Sequence, residues 1–245
     1  MKKLLLIQSR VRPDLVATER EEYARGLAGA ATELSFLSSL DEGQPWETPE
    51  RILAGYHGCI IGGSGEFDLD GGREAEDPAR RSARTIRGRL EPLVSYAFAH
   101  HTPLLGVCFG HQIIADLLEG GVQRDENQKK VGSHEVSRTE EGRRDALFAD
   151  LPDTFVSQYG HKDSVTSLPR GAVLLARGRS CNFSALRYGE KAYTVQFHPE
   201  LSAQDVLKRL RSTPGYLPEG IDPSSIVRES AEASRILPLF ALRIA

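Results

Sequence analysis

Short apolar runs separated by amphipathic segments dominate the first half of the chain. Residues 4–7, 58–61 and 104–107 are apolar or glycine at every position, which is typical of strands buried on both faces of a sheet. Between these runs, residues 14–31 and 83–99 repeat apolar side chains at helical spacing. Strands that alternate with helices predict a parallel sheet wound by right-handed crossovers.

The pattern changes in the second half, where short strand candidates are separated by turn residues. These candidates are residues 131–137, 155–158, 173–176, 183–187 and 193–197. Their spacing predicts an antiparallel or mixed extension of the sheet. We therefore predict an α/β fold, with a mostly parallel twisted sheet flanked by helices in three layers (flavodoxin-like or Rossmann-like) and an antiparallel extension.

Length and composition favour one domain. A chain of 245 residues and 27.0 kDa can bury one sizeable core, and we expect a single domain over 1–245 with a C-terminal extension from about residue 201. Within that extension, residues 212–223 hold three prolines and are expected to form a loop, whereas 226–244 are expected to be helical. Residues 64–78 are acidic and rich in glycine, which predicts a mobile loop beside the functional site.

Charge and hydropathy limit the classes of partner. The formal net charge is -3, and no apolar run reaches the ~20 residues that span a bilayer. We therefore expect neither nucleic acid nor a membrane as a partner. Five arginines between residues 80 and 89 favour a solvated helix face, with a basic site for an acidic partner as the alternative. The first apolar run is too short for the hydrophobic region of a signal peptide.

The chain holds three cysteines, Cys59, Cys108 and Cys181. Their odd number and their spacing match neither a disulfide framework nor a metal site. We therefore expect no metal, no other cofactor and a reducing, cytoplasmic location. Cys59 lies in an apolar run and is expected in the core, whereas Cys181 is expected in a turn.

Cys108 differs from the other two cysteines in its local sequence. It follows an apolar run, lies between Gly106 and Gly110, and precedes the helical periodicity of residues 112–119. This pattern predicts a sharp strand-to-helix turn that projects the thiol, as in a nucleophile elbow. Because the positive end of a helix favours the thiolate, Cys108 is predicted to be a nucleophile.

His198 and Glu200 lie in a second motif, VQFHPE at residues 195–200. An imidazole can take a thiol proton and return it to a leaving group near neutral pH. A carboxylate two residues on can hold the imidazole in one tautomer and stabilise its cation. Together with Cys108, these residues predict covalent catalysis by a nucleophile, a base and an orienting acid.

The two motifs resemble those of the class I, triad-type glutamine amidotransferase family, and the resemblance covers roughly residues 3–200. It rests on the segments GVCFGHQ (106–112), FHPE (197–200), GGSG (62–65), GGV (120–122), KVG (130–132) and GHKDSV (160–165). The resemblance implies hydrolysis of the side-chain amide of L-glutamine, through a thioester on the cysteine, to glutamate and ammonia. Because no ATP-binding synthetase domain or P-loop is present, we expect either a free-standing glutaminase or one half of a two-chain enzyme whose synthetase subunit receives the ammonia.

The same resemblance implies roles for residues near the nucleophile. The backbone N–H groups of Gly63 and Phe109 are the expected oxyanion hole, and Gln112 is the expected contact to bound glutamine. For His161, a place at the pocket mouth and a structural hydrogen bond carry equal weight. Many family members have a proline after the glycine pair, where this chain has Ser64, and we expect the hole to form when glutamine or a partner binds.

Two alternative functions stay open at this point. The same triad would serve a γ-glutamyl hydrolase or peptidase that acts on another γ-glutamyl conjugate, with the loop at 64–78 widening the pocket. Alternatively, a regulatory or scaffolding subunit would use the fold for binding only, although the intact triad argues against this. The sequence does not determine the oligomeric state, and a homodimer is compatible with it.

Overall fold

A computed structural model describes residues 1–212, 217 and 220–245. Half of the predicted loop at 212–223, namely 213–216 and 218–219, lies outside the described residues. The described part of the chain forms a mostly parallel sheet that is extended by antiparallel strands and flanked by helices, which confirms the predicted fold class.

Eleven strands are found within the described residues. In chain order they are β1 (Lys2–Gln8), β2 (Thr32–Ser38), β3 (Gly58–Ile61), β4 (Leu104–Val107), β5 (Val122–Arg124), β6 (Lys130–Arg138), β7 (Thr154–His161), β8 (Asp163–Val165), β9 (Ala172–Gly178), β10 (Cys181–Tyr188) and β11 (Ala192–Val195).

Most helices of the described residues lie between the strands or after them. They are α1 (Pro13–Leu27), α2 (Pro49–Ile52), α3 (Pro78–Ala99), α4 (Phe109–Leu117), α5 (Glu140–Arg144), α6 (Ala203–Ser212), α7 (Ala231–Ser234) and α8 (Ile236–Leu239). Two short 3-10 turns, Ala28–Ala30 and Pro223–Ser225, and a terminal π-helical turn, Phe240–Ile244, complete the set.

The main sheet has the strand order β2-β1-β3-β4-β11-β10-β9-β6-β7. The pairs from β2 through β11 are parallel, and the pairs from β11 through β7 are antiparallel. The parallel part has the order of a flavodoxin-like sheet, in which ligands bind beyond the carboxyl ends of the strands. Strands β5 and β8 form a separate antiparallel pair.

Each face of the parallel sheet has its own apolar core, because successive strand residues point to opposite faces. Leu4 and Leu6 of β1 face a core that includes α1, α7, α8 and the terminal turn. Leu5 and Ile7 face the opposite core, which includes α3 and α4. The C-terminal segment therefore covers one face of the sheet.

Several predicted element boundaries need correction. Helix α3 begins at Pro78 rather than at residue 83, because the side chain of Asp77 accepts the N–H of Ala79 and caps the first turn. The predicted turn at Cys181 was wrong, since this residue opens β10 and is buried. The C-terminal helical segment begins at Ala231 rather than at residue 226.

The described helices also bear on the membrane question. None of them combines the length and the apolar character that a membrane crossing requires.

Candidate active site

The predicted site residues follow three neighbouring parallel strands. Gly63 comes after β3, Cys108 comes directly after β4, and His198 comes after β11. Because parallel strands end at the same edge of a sheet, residues that are far apart in the sequence meet there.

Cys108 has a strained backbone at a sharp strand-to-helix turn. Its φ of 51° and ψ of -97° are unusual for a residue with a side chain, and α4 begins at the next residue. The close approach of α4 to β3 explains the glycine that follows, because a Cβ on Gly110 would lie 2.2 Å from the carbonyl oxygen of Ile61. The turn therefore has the geometry that the sequence predicts for a projecting thiol.

His198 and Glu200 form a buried hydrogen-bonded pair. The distance between His198 Nδ1 and Glu200 Oε1 is 2.6 Å, and the two residues are 5% and 3% exposed. The backbone N–H of His198 donates to the carbonyl oxygen of Gln158 at 2.8 Å, which ties this segment to β7. The imidazole is thereby held in one orientation.

The three predicted catalytic side chains meet in one small volume. A Cβ on Gly63 would lie 3.0 Å from His198 Cε1 and 3.5 Å from Cys108 Cβ, so both side chains border the same glycine. Burial alone would lower the pKa of His198, but the charges of Glu200 and Cys108 and the hydrogen bond to Glu200 raise it to about 10. The imidazole can therefore accept and hold a proton next to the thiol.

The pKa of Glu200 shifts in the opposite direction from that of His198. Burial alone would raise the pKa of this carboxyl, but the adjacent His198 charge and hydrogen bond outweigh burial and lower it. Glu200 therefore carries a negative charge with no access to water, and that charge acts on the imidazole.

Two backbone donors lie free at this position. Within the described ranges, the N–H groups of Gly63 and Phe109 donate no hydrogen bond. Both belong to residues that adjoin Cys108, so both are available to an oxygen atom that develops charge next to the thiol. Their role as an oxyanion hole stays a prediction.

Polar contacts hold the loop that follows Gly63. The hydroxyl of Ser64 accepts the N–H groups of Glu66 and Phe67 at 3.2 and 3.1 Å. The carboxylate of Glu66 in turn accepts the N–H groups of Val11 and Arg12 at 2.9 and 3.4 Å. These bonds fix the loop in the absence of a proline.

Gln112 and His161 converge on one backbone carbonyl. The amide nitrogen of Gln112 donates to the Asp163 carbonyl oxygen at 2.7 Å, and His161 Nδ1 donates to the same oxygen at 2.9 Å. Burial lowers the pKa of His161 to about 4, so this ring is neutral. Its hydrogen bond to the Asp163 carbonyl is the structural role that the sequence offered as one of two alternatives. In this part of the structure the amide oxygen of Gln112 accepts no hydrogen bond.

The Asp163 side chain ties the acidic loop to the site, and the sequence reasoning missed it. Its carboxylate accepts the N–H groups of Asp70 and Gly71 at 2.8 and 2.6 Å. The loop at 64–78 therefore lies beside the site, as predicted, and its mobility stays a prediction. The only signal in the sequence was the position of Asp163 inside the GHKDSV segment.

A buried ion pair next to Gly62 was also not predicted from the sequence. Arg10 Nε lies 2.8 Å from Glu19 Oε1, and that oxygen would be 3.3 Å from a Cβ on Gly62. One turn further along α1, Glu22 pairs with Arg209 of α6 at 2.5 Å. Charged positions on an amphipathic helix are usually solvated, so no pattern along the chain indicated these buried pairs.

A metal site requires several donor side chains at one point. Across residues 1–212, 217 and 220–245, no group of three or more histidine, cysteine, aspartate or glutamate side chains is placed to hold a metal ion. The three cysteines are free and buried.

Comparisons with known proteins agree on one family. The family model described as glutamine amidotransferase class-I matches residues 75–209, which include Cys108, His198 and Glu200. The glutamine-hydrolysing GMP synthase subunit of Methanopyrus kandleri is 35% identical over 176 residues, which is 69% of this chain and 82% of that protein. Its counterpart from Methanococcus aeolicus is 35% identical over 122 residues, or 48% of this chain and 63% of that protein.

A solved structure has the same fold. The crystal structure of a glutamine amidotransferase from Thermotoga maritima has a TM-score of 0.69 and 20% sequence identity, and it covers 98% of this chain and 96% of that one.

Proposed function

Since the chain belongs to the class-I glutamine amidotransferase family, we propose that Cys108, His198 and Glu200 hydrolyse the side-chain amide of glutamine and that the ammonia passes to a separate synthetase chain. The observation that carries the proposal is the position of His198, which is hydrogen-bonded to Glu200 at 2.6 Å and borders Gly63 together with Cys108. A histidine between a buried carboxylate and a strained cysteine is suited to thiol activation.

The first half of the reaction forms the thioester. His198 takes the thiol proton, and the Cys108 sulfur attacks the amide carbon of glutamine. The carbonyl oxygen becomes an oxyanion, which accepts hydrogen bonds from the N–H groups of Gly63 and Phe109. When the C–N bond breaks, His198 gives its proton to the departing nitrogen, and ammonia leaves a γ-glutamyl thioester on the sulfur.

The second half releases glutamate. His198 removes a proton from a water molecule, the hydroxide attacks the thioester carbon, and the C–S bond breaks. The proton returns to the sulfur, which restores the thiol. Glu200 stabilises the imidazolium that forms in both halves, as its effect on the pKa of His198 indicates.

Substrate contacts beyond the reacting amide fall to Gln112. Its amide nitrogen is occupied by the Asp163 carbonyl, and its free amide oxygen is suited to the α-ammonium group of glutamine. The neutral His161 ring shares the Asp163 carbonyl oxygen with Gln112 and helps to position it.

The partner in this proposal is a synthetase chain that aminates a nucleotide. The support is the likeness to the glutamine-hydrolysing GMP synthase subunit of Methanopyrus kandleri over 69% of this chain. We place the pair in the cytoplasm, in line with three free cysteines. We treat residues 1–245 as one domain, because α7 and α8 pack in the same apolar core as β1 and α1. The compared proteins lend no support to the γ-glutamyl hydrolase alternative.

The test is glutamate release from glutamine by the purified chain, alone and mixed with the synthetase chain of its own organism. Cys108→Ala should lower the rate by about 10³-fold or more, whereas Cys59→Ala, which alters another buried thiol remote from the site, should retain it. GMP formation by the mixture with glutamine in place of ammonia would support the assigned partner. Wild-type rates no higher than those of Cys108→Ala, alone and in the mixture, would contradict the proposal.

A further inference from the structure

Lys130 is a largely buried lysine with no counter-ion among the residues that the structure describes. The residue is 5% exposed at the start of β6, and within the described part of the chain its ammonium group has no hydrogen bond and no ion pair. It contacts the ring of Tyr159, whose centroid lies 5.6 Å from the nitrogen. Lysine is rarely buried to this extent unless it is paired, so the ammonium group of Lys130 is suited to binding an anion.

The position of Lys130 is next to the candidate active site. It is the register partner of His161 across β6 and β7. The ring of Tyr159 lies 5.6 Å from the His161 ring and 5.9 Å from the ring of Phe197, the residue before His198. His161 in turn interacts electrostatically with both Lys130 and His198. The ring of Tyr159 thus contacts both the ammonium group of Lys130 and the ring of Phe197, which precedes His198.

The groups around Lys130 do not neutralise it. Burial raises the pKa of Cys181, which keeps this thiol neutral, and burial lowers the pKa of His134 and of His161, which keeps both rings neutral. The other charge that acts on Lys130 is the cation of Arg179. The local field therefore favours a small anion.

Glutamine carries such an anion at the right reach. When its amide carbon is at Cys108, the carbon of its α-carboxylate lies ~5 Å away along an extended side chain, four carbon–carbon bonds on. Gln112, one turn into α4, offers a free amide oxygen to the α-ammonium group. The α-carboxylate is bonded to the same carbon as the α-ammonium group and requires a cationic partner of its own.

We propose that Lys130 binds the α-carboxylate of glutamine and selects free glutamine over amides that lack this group. The inference rests on the proposed function, because it takes glutamine as the substrate. Lys130 would bind the substrate in the ground state and in the transition state alike, so its removal should act on affinity rather than on the chemical step.

The test measures ligand binding in the Cys108→Ala background, which needs no turnover. Affinities for glutamine and for 4-aminobutanamide, which is glutamine without its carboxylate, are measured by calorimetry. Lys130→Met should weaken glutamine binding by about tenfold or more, as expected for a lost charge-assisted hydrogen bond, and leave 4-aminobutanamide unchanged. Lys130→Arg should restore most of the glutamine affinity, and Lys129→Met, the matched control at an exposed neighbour paired with Glu126, should alter neither.

Three results would overturn the inference. Glutamine affinity within twofold of the parent protein in Lys130→Met would exclude a contact to the carboxylate. Equal weakening of both ligands would assign Lys130 a structural role. Absence of glutamine binding to the parent Cys108→Ala protein would overturn it as well. Failure of the proposed function has a different signature, because it removes glutamate release by the wild-type chain.

Discussion

Glu200 Oε1 lies 2.6 Å from His198 Nδ1, and both residues are buried. Although burial acts against it, the Glu200 charge is the largest influence that raises the pKa of His198. A neutral amide in this position would keep the shape of the pair and lose the charge.

We therefore expect Glu200→Gln to lower the pKa of His198 and to reduce kcat by roughly 10²–10⁴-fold, as in other triads that lose the acid. A histidine NMR titration and steady-state glutaminase rates check the two effects. Glu232→Gln, which removes an exposed carboxylate of α7, is the control. An unchanged His198 titration in Glu200→Gln would show that another group sets its protonation.

Gly63 leaves no room for a side chain. A Cβ there would lie 3.0 Å from His198 Cε1 and 3.5 Å from Cys108 Cβ, so Gly63→Ala should push the base away from the nucleophile. We expect kcat to fall by about 10²-fold or more, the scale of a lost oxyanion donor, with little change in thermal stability. Gly88→Ala, in open space on α3, should leave the rate unaltered. A fully active Gly63→Ala enzyme would refute the tight geometry.

Asp163 holds the acidic loop by two backbone hydrogen bonds, at 2.8 Å from Asp70 and 2.6 Å from Gly71. In Asp163→Asn only one oxygen can accept, and the amide nitrogen must face an N–H group. Hydrogen exchange in the loop at 64–78 should accelerate, because the side chain can then accept only one of the two N–H groups. Exchange rates equal to those of the wild type would show that other contacts suffice to hold this loop.

Glu22 couples stability to pH. Burial is the largest influence and raises the pKa of its carboxyl to about 7, with smaller contributions from Glu200 and Asp205 and with Arg209 acting against them. In the unfolded chain the pKa is 4.5, so the folded state binds the proton more strongly. The contribution of Glu22 to stability therefore falls as pH rises from 4.5 through 7.

Because Glu22→Gln removes this titration, the variant should gain on the order of 2 kcal/mol over the wild type between pH 4.5 and 7.5. Urea unfolding at stepped pH values measures the difference. Glu21→Gln, on the exposed side of the same helix, is the control, because it gives the change in unfolding free energy on loss of a solvent-exposed carboxylate. A wild-type-minus-variant difference that is flat with pH would contradict the raised pKa.

The sequence predicts best where one local pattern decides the structure. Strands β3 and β4 begin and end where the apolar runs do, because a strand buried on both faces has no polar interruption. Strand β2 was not predicted, since it lies at the sheet edge and its residues alternate between half-buried and exposed. Cys181 was misplaced because its neighbours Ser180 and Asn182 are turn formers, whereas pairing with β9 decides its conformation.

The same distinction holds for the site. Cys108, His198 and Glu200 stand in short motifs that carry their chemistry locally, so the sequence alone is enough to propose them. Lys130 and Asp163 could not be proposed in this way, because what matters about them is the partner across the sheet or in a distant loop. Such pairings depend on strand order, which a single sequence does not specify.

Strand β11 is made after every other strand of the main sheet, yet it lies inside that sheet, between β4 and β10. The final arrangement of β4 and β10 on either side of β11 therefore requires residues 192–195 to have been synthesised. The histidine and its carboxylate follow immediately, and the last helical turns then close the core. Pairing between strands that are far apart in the sequence is slow. Until His198 has been synthesised, Cys108 also lacks the side chain that is proposed to accept its proton. Under the proposed mechanism, amide cleavage requires β11 to have joined the sheet, so the onset of glutaminase activity would report this late step of folding.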